Sequence, residues 1–238
     1  MSSPKRVVLM YCNDLFGQSQ ARGFQAAHKA ANPSWDIVEV IPWPEPPTDL
    51  STEVSKAKAA KPDIIAPITR PASALLLFPE IRKQRIEMLG IVGPGSPGIY
   101  ESGQIAQLKE DLEYVLTSVP WANFKNPKTM TVADEYRKRS GGKTFDTNSG
   151  YSYDAAFVIA DILERATSLG DPDAIVDAMQ KTNYAGGLMQ YGGPVVFNEV
   201  GDNPNAIPTM IQILSQKPVA VWPKDAALQK FVFPRPHA

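Results

Sequence analysis

Two apolar spacings take turns along the first half of this chain. Short runs rich in β-branched residues recur at Arg6–Tyr11, Asp36–Trp43, Asp63–Thr69, Leu89–Gly93 and Tyr114–Trp121, and each predicts a strand. Between them, near 18–31, 51–60, 72–85 and 103–113, apolar residues fall three and four apart, which predicts helices. In the first of these the stripe is Ala21, Phe24, Ala27, His28 and Ala31. Regular alternation of strand and helix predicts an α/β fold, a doubly wound parallel sheet with helices on both faces. Right-handed crossovers then bring every strand-to-helix turn to one edge of that sheet. The turns are Asn13–Ser19, Pro44–Asp49, Thr69–Pro71 and Gly93–Gly98. Open α/β sheets bind their ligands at this edge.

Punctuation agrees with these elements. Asp49 or Ser51 can cap the second helix, and Pro71 suits the first turn of the third, where a missing N–H is harmless. Pro42, Pro44, Pro46 and Pro47 make a stiff connector that cannot belong to a central strand.

After Trp121 the pattern changes. A polar helix is predicted over Thr129–Arg139, followed by a Gly/Ser/Thr/Asn-rich connection through Ser149. The strongest helix spans Tyr153–Ala166, with Ala155, Val158, Ile159, Ile162 and Leu163 on a stripe wide enough to need a partner surface. A further helix over Asp171–Thr182 opens on an Asp-Pro cap. Short β segments are expected at Pro194–Phe197 and Thr209–Leu214, and the end from Phe231 reads as an irregular strap. The late helices thus lack strands of their own to cover. Either they dock on the first domain or part of the protein lies outside these residues.

Composition narrows the function. Charge is balanced, 24 basic against 25 acidic residues, which disfavours a nucleic-acid binder. No run approaches the ~18 apolar residues of a membrane-spanning helix, and from these residues no signal peptide is expected. A single cysteine, Cys12, excludes an internal disulfide framework.

Candidate chemistry is sparse. Gly93–Gly98 matches G-x-G-x-x-G in letters, but Pro94 and Pro97 remove donors that a pyrophosphate would use, so a ligand-facing loop is expected instead. Ser96 is not in a nucleophile elbow, and the histidines, His28 and His237, are far apart in sequence. Neither a catalytic triad nor a zinc pattern is available, so no enzyme activity, metal or cofactor is expected. Arg70 stands between the third strand and its helix, where a guanidinium can clamp a carboxylate. Phe16 lies in the first turn, which does not need an aromatic to form. The basic run Arg82–Arg85 reads as a solvated helix end.

Taken in order, Val7–Tyr11, Phe16–Ser19, Thr48–Ser51, Ser55–Lys58, Lys61–Ile65, Tyr153–Ala155, Gly193–Phe197 and Gly201–Asp202 resemble the Leu/Ile/Val-type substrate-binding proteins of ABC transporters. These are the branched-chain amino acid family of the type I periplasmic binding fold. The resemblance implies two α/β lobes, joined by hinge strands, that close over a small ligand. Residues 1–118 and 206–238 would form the second lobe. Residues 119–205 would supply a hinge crossing at Val119–Trp121 and part of the first lobe, which would lack its N-terminal portion. The expected ligand-binding residues are Asn13, Phe16, Thr69, Arg70, Gly95 and Ser96. Phe16 matches a ligand-contacting aromatic and Arg70 lies near a second contact. The Gly93–Ser96 loop lacks the acid that amino-acid binders place there for the ammonium group. A carboxylate without an amine is therefore the expected ligand, an ABC permease the expected partner, and the periplasm or cell surface the expected location of the full-length protein. The alternatives are a cytoplasmic ligand-sensing regulator on the same fold and an α/β hydrolase.

Overall fold

Strands β1 (Arg6–Cys12), β2 (Asp36–Trp43), β3 (Ile64–Ile68), β4 (Gly90–Gly93), β5 (Leu116–Val119), β6 (Thr209–Leu214) and β7 (Lys217–Trp222) form one sheet in the order β2-β1-β3-β4-β5-β6-β7. A computed structural model describes residues 3–236; His237 lies outside them. The chain divides into two compact units. Unit 1 holds Met1–Val119, Met210–Val221 and Gln229–Ala238, and unit 2 holds Pro120–Thr209 and Trp222–Leu228.

In unit 1, neighbours among the first five strands pair in parallel. The central strands β1 and β3 are buried almost throughout, as near-continuous apolar runs between two helix layers should be. Helices α1 (Leu15–Ala31), α2 (Ser51–Ala59), α3 (Pro71–Lys83), α4 (Pro97–Tyr100) and α5 (Ser102–Leu108) connect them. One core cluster gathers Met10, Ile65, Phe78, Ile91 and Leu112; a second gathers Leu9, Ala21 and Ile68. This is the α/β architecture expected from the alternation. Pro42 falls in β2, at the edge of the sheet, where its missing donor is tolerated.

Several local details differ from the sequence reading. β5 starts at Leu116 because Tyr114 turns left-handed, with φ of 66°. The helix expected over 103–113 breaks after Leu108 into a 3₁₀ turn, Lys109–Leu112. The cap of α2 is Leu50, while the Asp49 carboxylate accepts the Ser51 N–H at 2.6 Å from one position further back. Strand β7 was not anticipated. It follows β6 through Ser215 and Gln216, both at positive φ (52° and 57°), the conformation of a tight hairpin turn. Glu113 accepts both of their N–H groups, at 2.6 and 3.1 Å, so a carboxylate from outside the hairpin fixes a turn that lacks glycine.

Unit 2 contains α6 (Pro127–Arg139), α7 (Thr147–Arg165) and α8 (Pro172–Gln180). Helix α7 begins six residues earlier than its apolar stripe suggests, because Asp146 accepts the Ser149 N–H at 2.9 Å and caps it. The strand expected at Pro194–Phe197 reduces to an isolated bridge between Tyr184 and Val195. Buried Asp154 accepts the N–H groups of Leu188 and Met189 at 2.7 and 3.1 Å, which ties α7 to the segment after α8. The stripe is half used. Val158 and Ile162 pack with Ala178 and Val195, while Ile159 and Leu163 remain 54% and 41% exposed. An apolar groove of about 360 Å³ runs along this face. Among the described residues, no helix is long and apolar enough to cross a membrane.

Candidate functional site

The first turn of unit 1 is built around Asp14. Its extended backbone (φ −105°, ψ 178°) ends β1, and its Oδ1 accepts the Gly17 N–H at 2.8 Å to cap α1. Gly17 is required there, since a Cβ would lie 1.8 Å from the Cys12 carbonyl oxygen. Asn13 is exposed. Its backbone N–H donates to Trp43 O at 2.7 Å, and its side-chain oxygen accepts from Gln18 Nε2 at 3.0 Å.

Arg70 reaches this turn from the end of β3. Its Nε donates to Asp14 Oδ2 at 2.8 Å, and its guanidinium carbon lies 4.3 Å from the centre of the Phe16 ring. The cation is thus held by a carboxylate on one edge and an aromatic face on another side. Asp14 engages only Nε, so the two terminal Nη groups stand outside that ion pair. Burial alone would raise the Asp14 pKa. The Gly17 N–H and the bond and charge of Arg70 outweigh it and hold the carboxyl below its ordinary range.

Thr69 and Ser96 lie beneath this surface, both fully buried. Ser96 Oγ accepts the Thr69 N–H at 3.1 Å and donates to Pro67 O at 2.7 Å, binding the end of β3 to the loop after β4. Thr69 Oγ1 has no hydrogen-bond partner and faces Gly98, where a Cβ would sit 2.7 Å away. Gly95 adopts φ of +86°, which favours glycine, and a Cβ there would be 3.3 Å from Ser118 O. The expected residues therefore separate. Phe16, which falls in the first turn of α1 and not in the loop before it, meets Arg70 beside Asp14, while Asn13 bonds Trp43 and Gln18 instead; Thr69, Gly95 and Ser96 shape the neighbouring loop.

Two residues were missed by sequence reasoning. Asp14 carries the cap and the ion pair, and an Asp just before a predicted helix was the available signal. Leu15, 80% exposed beside it, is an apolar side chain at the same candidate site with no signal in the spacing. Cys12 is buried, and burial together with the Asp14 charge pushes its thiol up to about 12, which leaves no thiolate for nucleophilic chemistry. Among the described residues no group of histidine, cysteine and carboxylate side chains could hold a metal ion.

Comparison with known proteins gives a consistent picture. The family described as "Periplasmic binding protein" matches residues 2–211. Solved structures with the same fold include an extracellular ligand-binding receptor from Rhodopseudomonas palustris HaA2 (TM-score 0.77, 19% identity, covering 92% of this chain and 64% of that one). A leucine binding protein, LivK, from Thermotoga maritima aligns with TM-score 0.74 at 20% identity, over 91% of this chain and 59% of its own. An ABC transporter solute binding protein from R. palustris in complex with benzoate aligns with TM-score 0.74 at 14% identity, over 92% and 58%. At these identities the likeness establishes fold. The chain spans about three fifths of the length of these structures. No curated protein matches the sequence.

Proposed function

Because the chain belongs to the periplasmic binding protein family, we propose that it serves a solute receptor of an ABC importer, taking a small carboxylate at the Asn13–Phe16 turn through Arg70. The supporting observation is the Arg70 guanidinium, braced by Asp14 at 2.8 Å and stacked on Phe16. A planar cation already fixed at Nε loses little freedom when its Nη groups form a fork with a carboxylate. Each charge-assisted bond then contributes about 1.5–3 kcal/mol.

The absence of an amine in the ligand is part of the proposal. Asp14 is the acid at this turn, and its two oxygens already accept from Gly17 and Arg70. An ammonium group would have to compete with both. Phe16 offers a partly buried ring beside the cation, suited to an apolar or aromatic ligand body. A benzoate complex of one structural relative is in keeping with this class, whereas LivK is described as a leucine binder. The hinge-closing capture, the permease partner and the periplasmic or cell-surface location of the full-length protein belong to the same proposal.

The test is ligand titration followed by NMR, reading the Arg70 Nε–H and Gly17 amide signals. Benzoate and hexanoate should shift both in a saturable way, leucine should do so at least about tenfold more weakly, and Arg70→Ala should abolish the response. Tighter binding of leucine, or an unchanged response in Arg70→Ala, would overturn the proposal.

A further inference from the structure

We propose that unit 1 carries a second small-molecule site at the opposite edge of its sheet, a cavity that takes an amphipathic organic anion between Arg85 and Arg235. The cavity, of about 540 Å³, lies where the chain leaves α3 and enters β4. Those are the starting ends of the parallel strands, away from the Asp14–Arg70 turn. Its size falls in the range of small-molecule sites.

The floor is apolar: Phe78, Ile86, Met88 and Ile91 are all buried. The charges around it are unequally used. Arg82, in the run expected to be a solvated helix end, contacts both Glu110 at 2.8 Å and Asp111 at 2.9 Å. Arg85 and Arg235 have no ion-pair partner among the described residues, and Glu87 is the remaining acid on the rim, exposed to water. Arg85 turns the chain out of α3 at φ of 50°. Arg235 is fixed by its backbone N–H, which donates to Leu89 O at 2.8 Å, and its side chain is half-buried. Burial lowers its pKa, as the loss of water around a cation does.

A partly desolvated guanidinium beside an apolar floor is complementary to one chemical class. The ligand needs an anionic head, to supply an acceptor to Arg235, whose side chain has none among the described residues, and an apolar body, to cover Met88 and Ile86. A free inorganic anion would leave the floor uncovered, and a neutral hydrophobe would leave the cation unpaired. This inference is independent of the proposed solute site, whose residues lie on the other edge.

Methionine methyl NMR reads the cavity directly, because Met88 lines its floor. With 2-naphthoate as probe, the Met88 methyl signal should shift and saturate, and 2-naphthamide should act at least about tenfold more weakly for want of charge. Arg235→Ala should weaken naphthoate by about tenfold or more, and Arg235→Gln should do the same. Both variants keep the backbone bond to Leu89, and an unchanged methyl spectrum without ligand verifies their fold. Arg70→Ala should leave the Met88 response intact, which separates this site from the solute site. The inference is overturned if Met88 does not respond to naphthoate, if naphthamide binds as well, or if the Arg235 variants bind unchanged.

Discussion

Arg70 Nε and Asp14 Oδ2 meet at 2.8 Å, and the other oxygen of the same carboxylate caps α1 at Gly17. One side chain therefore starts a helix and sets the orientation of the candidate ligand-binding cation. Substitutions at Asp14 separate the two roles. Asp14→Asn keeps a good capping oxygen and removes the charge, whereas Asp14→Ala removes both. Both partners are partly exposed, 40% for Arg70 and 29% for Asp14, so their ion pair contributes only ~0–1 kcal/mol. The cap contributes ~1 kcal/mol. Denaturant unfolding should show Asp14→Ala destabilised by ~1–2 kcal/mol and Asp14→Asn by less than ~1 kcal/mol. Equal losses would mean that charge, and not the cap, dominates.

The lowered pKa of Asp14 predicts a pH dependence with a definite sign. A carboxyl that is more acidic in the folded state stabilises fully above its ordinary value of 3.8 and loses that contribution as pH falls through the folded-state value. Asp111 works the other way. Burial raises its pKa despite Arg82 at 2.9 Å, and its Oδ1 is close to that cation without hydrogen-bond alignment. Its contribution is present at low pH and is lost as pH rises through the raised value. Unfolding measured between about pH 2 and 6 should show a shallower acid limb for Asp14→Asn than for wild type, and a steeper one for Asp111→Asn.

Glycine positions in α1 give a paired prediction. At Gly17 an added Cβ would strike the Cys12 carbonyl at 1.8 Å, and backbone cannot yield as a side-chain tip can. At Gly23, exposed on the same helix, nothing lies within 4 Å. Gly17→Ala should lower stability by ~3 kcal/mol or more through overpacking. Gly23→Ala should raise it by ~0.5–1 kcal/mol through helix propensity and reduced unfolded-state entropy. Thermal and denaturant midpoints check both.

The parallel layer was legible because its strands are buried on both faces and its helices on one, and these are the two spacings that sequence displays most clearly. The same logic located the turn edge, and with it Asn13, Phe16 and Arg70. What escaped depended on contacts distant in sequence. The β6–β7 hairpin rests on Glu113, about a hundred residues away, instead of on a glycine in the turn. Ser96 is placed by its Oγ, which bonds Pro67 and Thr69 across the loop. The role of Asp14 requires Arg70, which is 56 residues further along the chain. Local pattern predicts elements; it does not predict which side chain will use a second partner.

Ile162 is 7% exposed among Ala178 and Val195, while Ile159, three residues earlier, is 54% exposed on the apolar groove. Ile162→Ala should cost ~2–5 kcal/mol by removing packed methyl groups. Ile159→Ser should cost no more than ~0.5 kcal/mol in the 238-residue chain, since a surface site has little to lose. It should also raise solubility, by breaking an exposed apolar patch. The structural relatives are longer than this chain, so the same pair of variants has a second use. In a longer form that covers the groove, Ile159 would become a core residue, and Ile159→Ser would then approach the cost of Ile162→Ala. Unfolding free energies of the two variants in both lengths measure whether that face is a solvent surface or half of an interior.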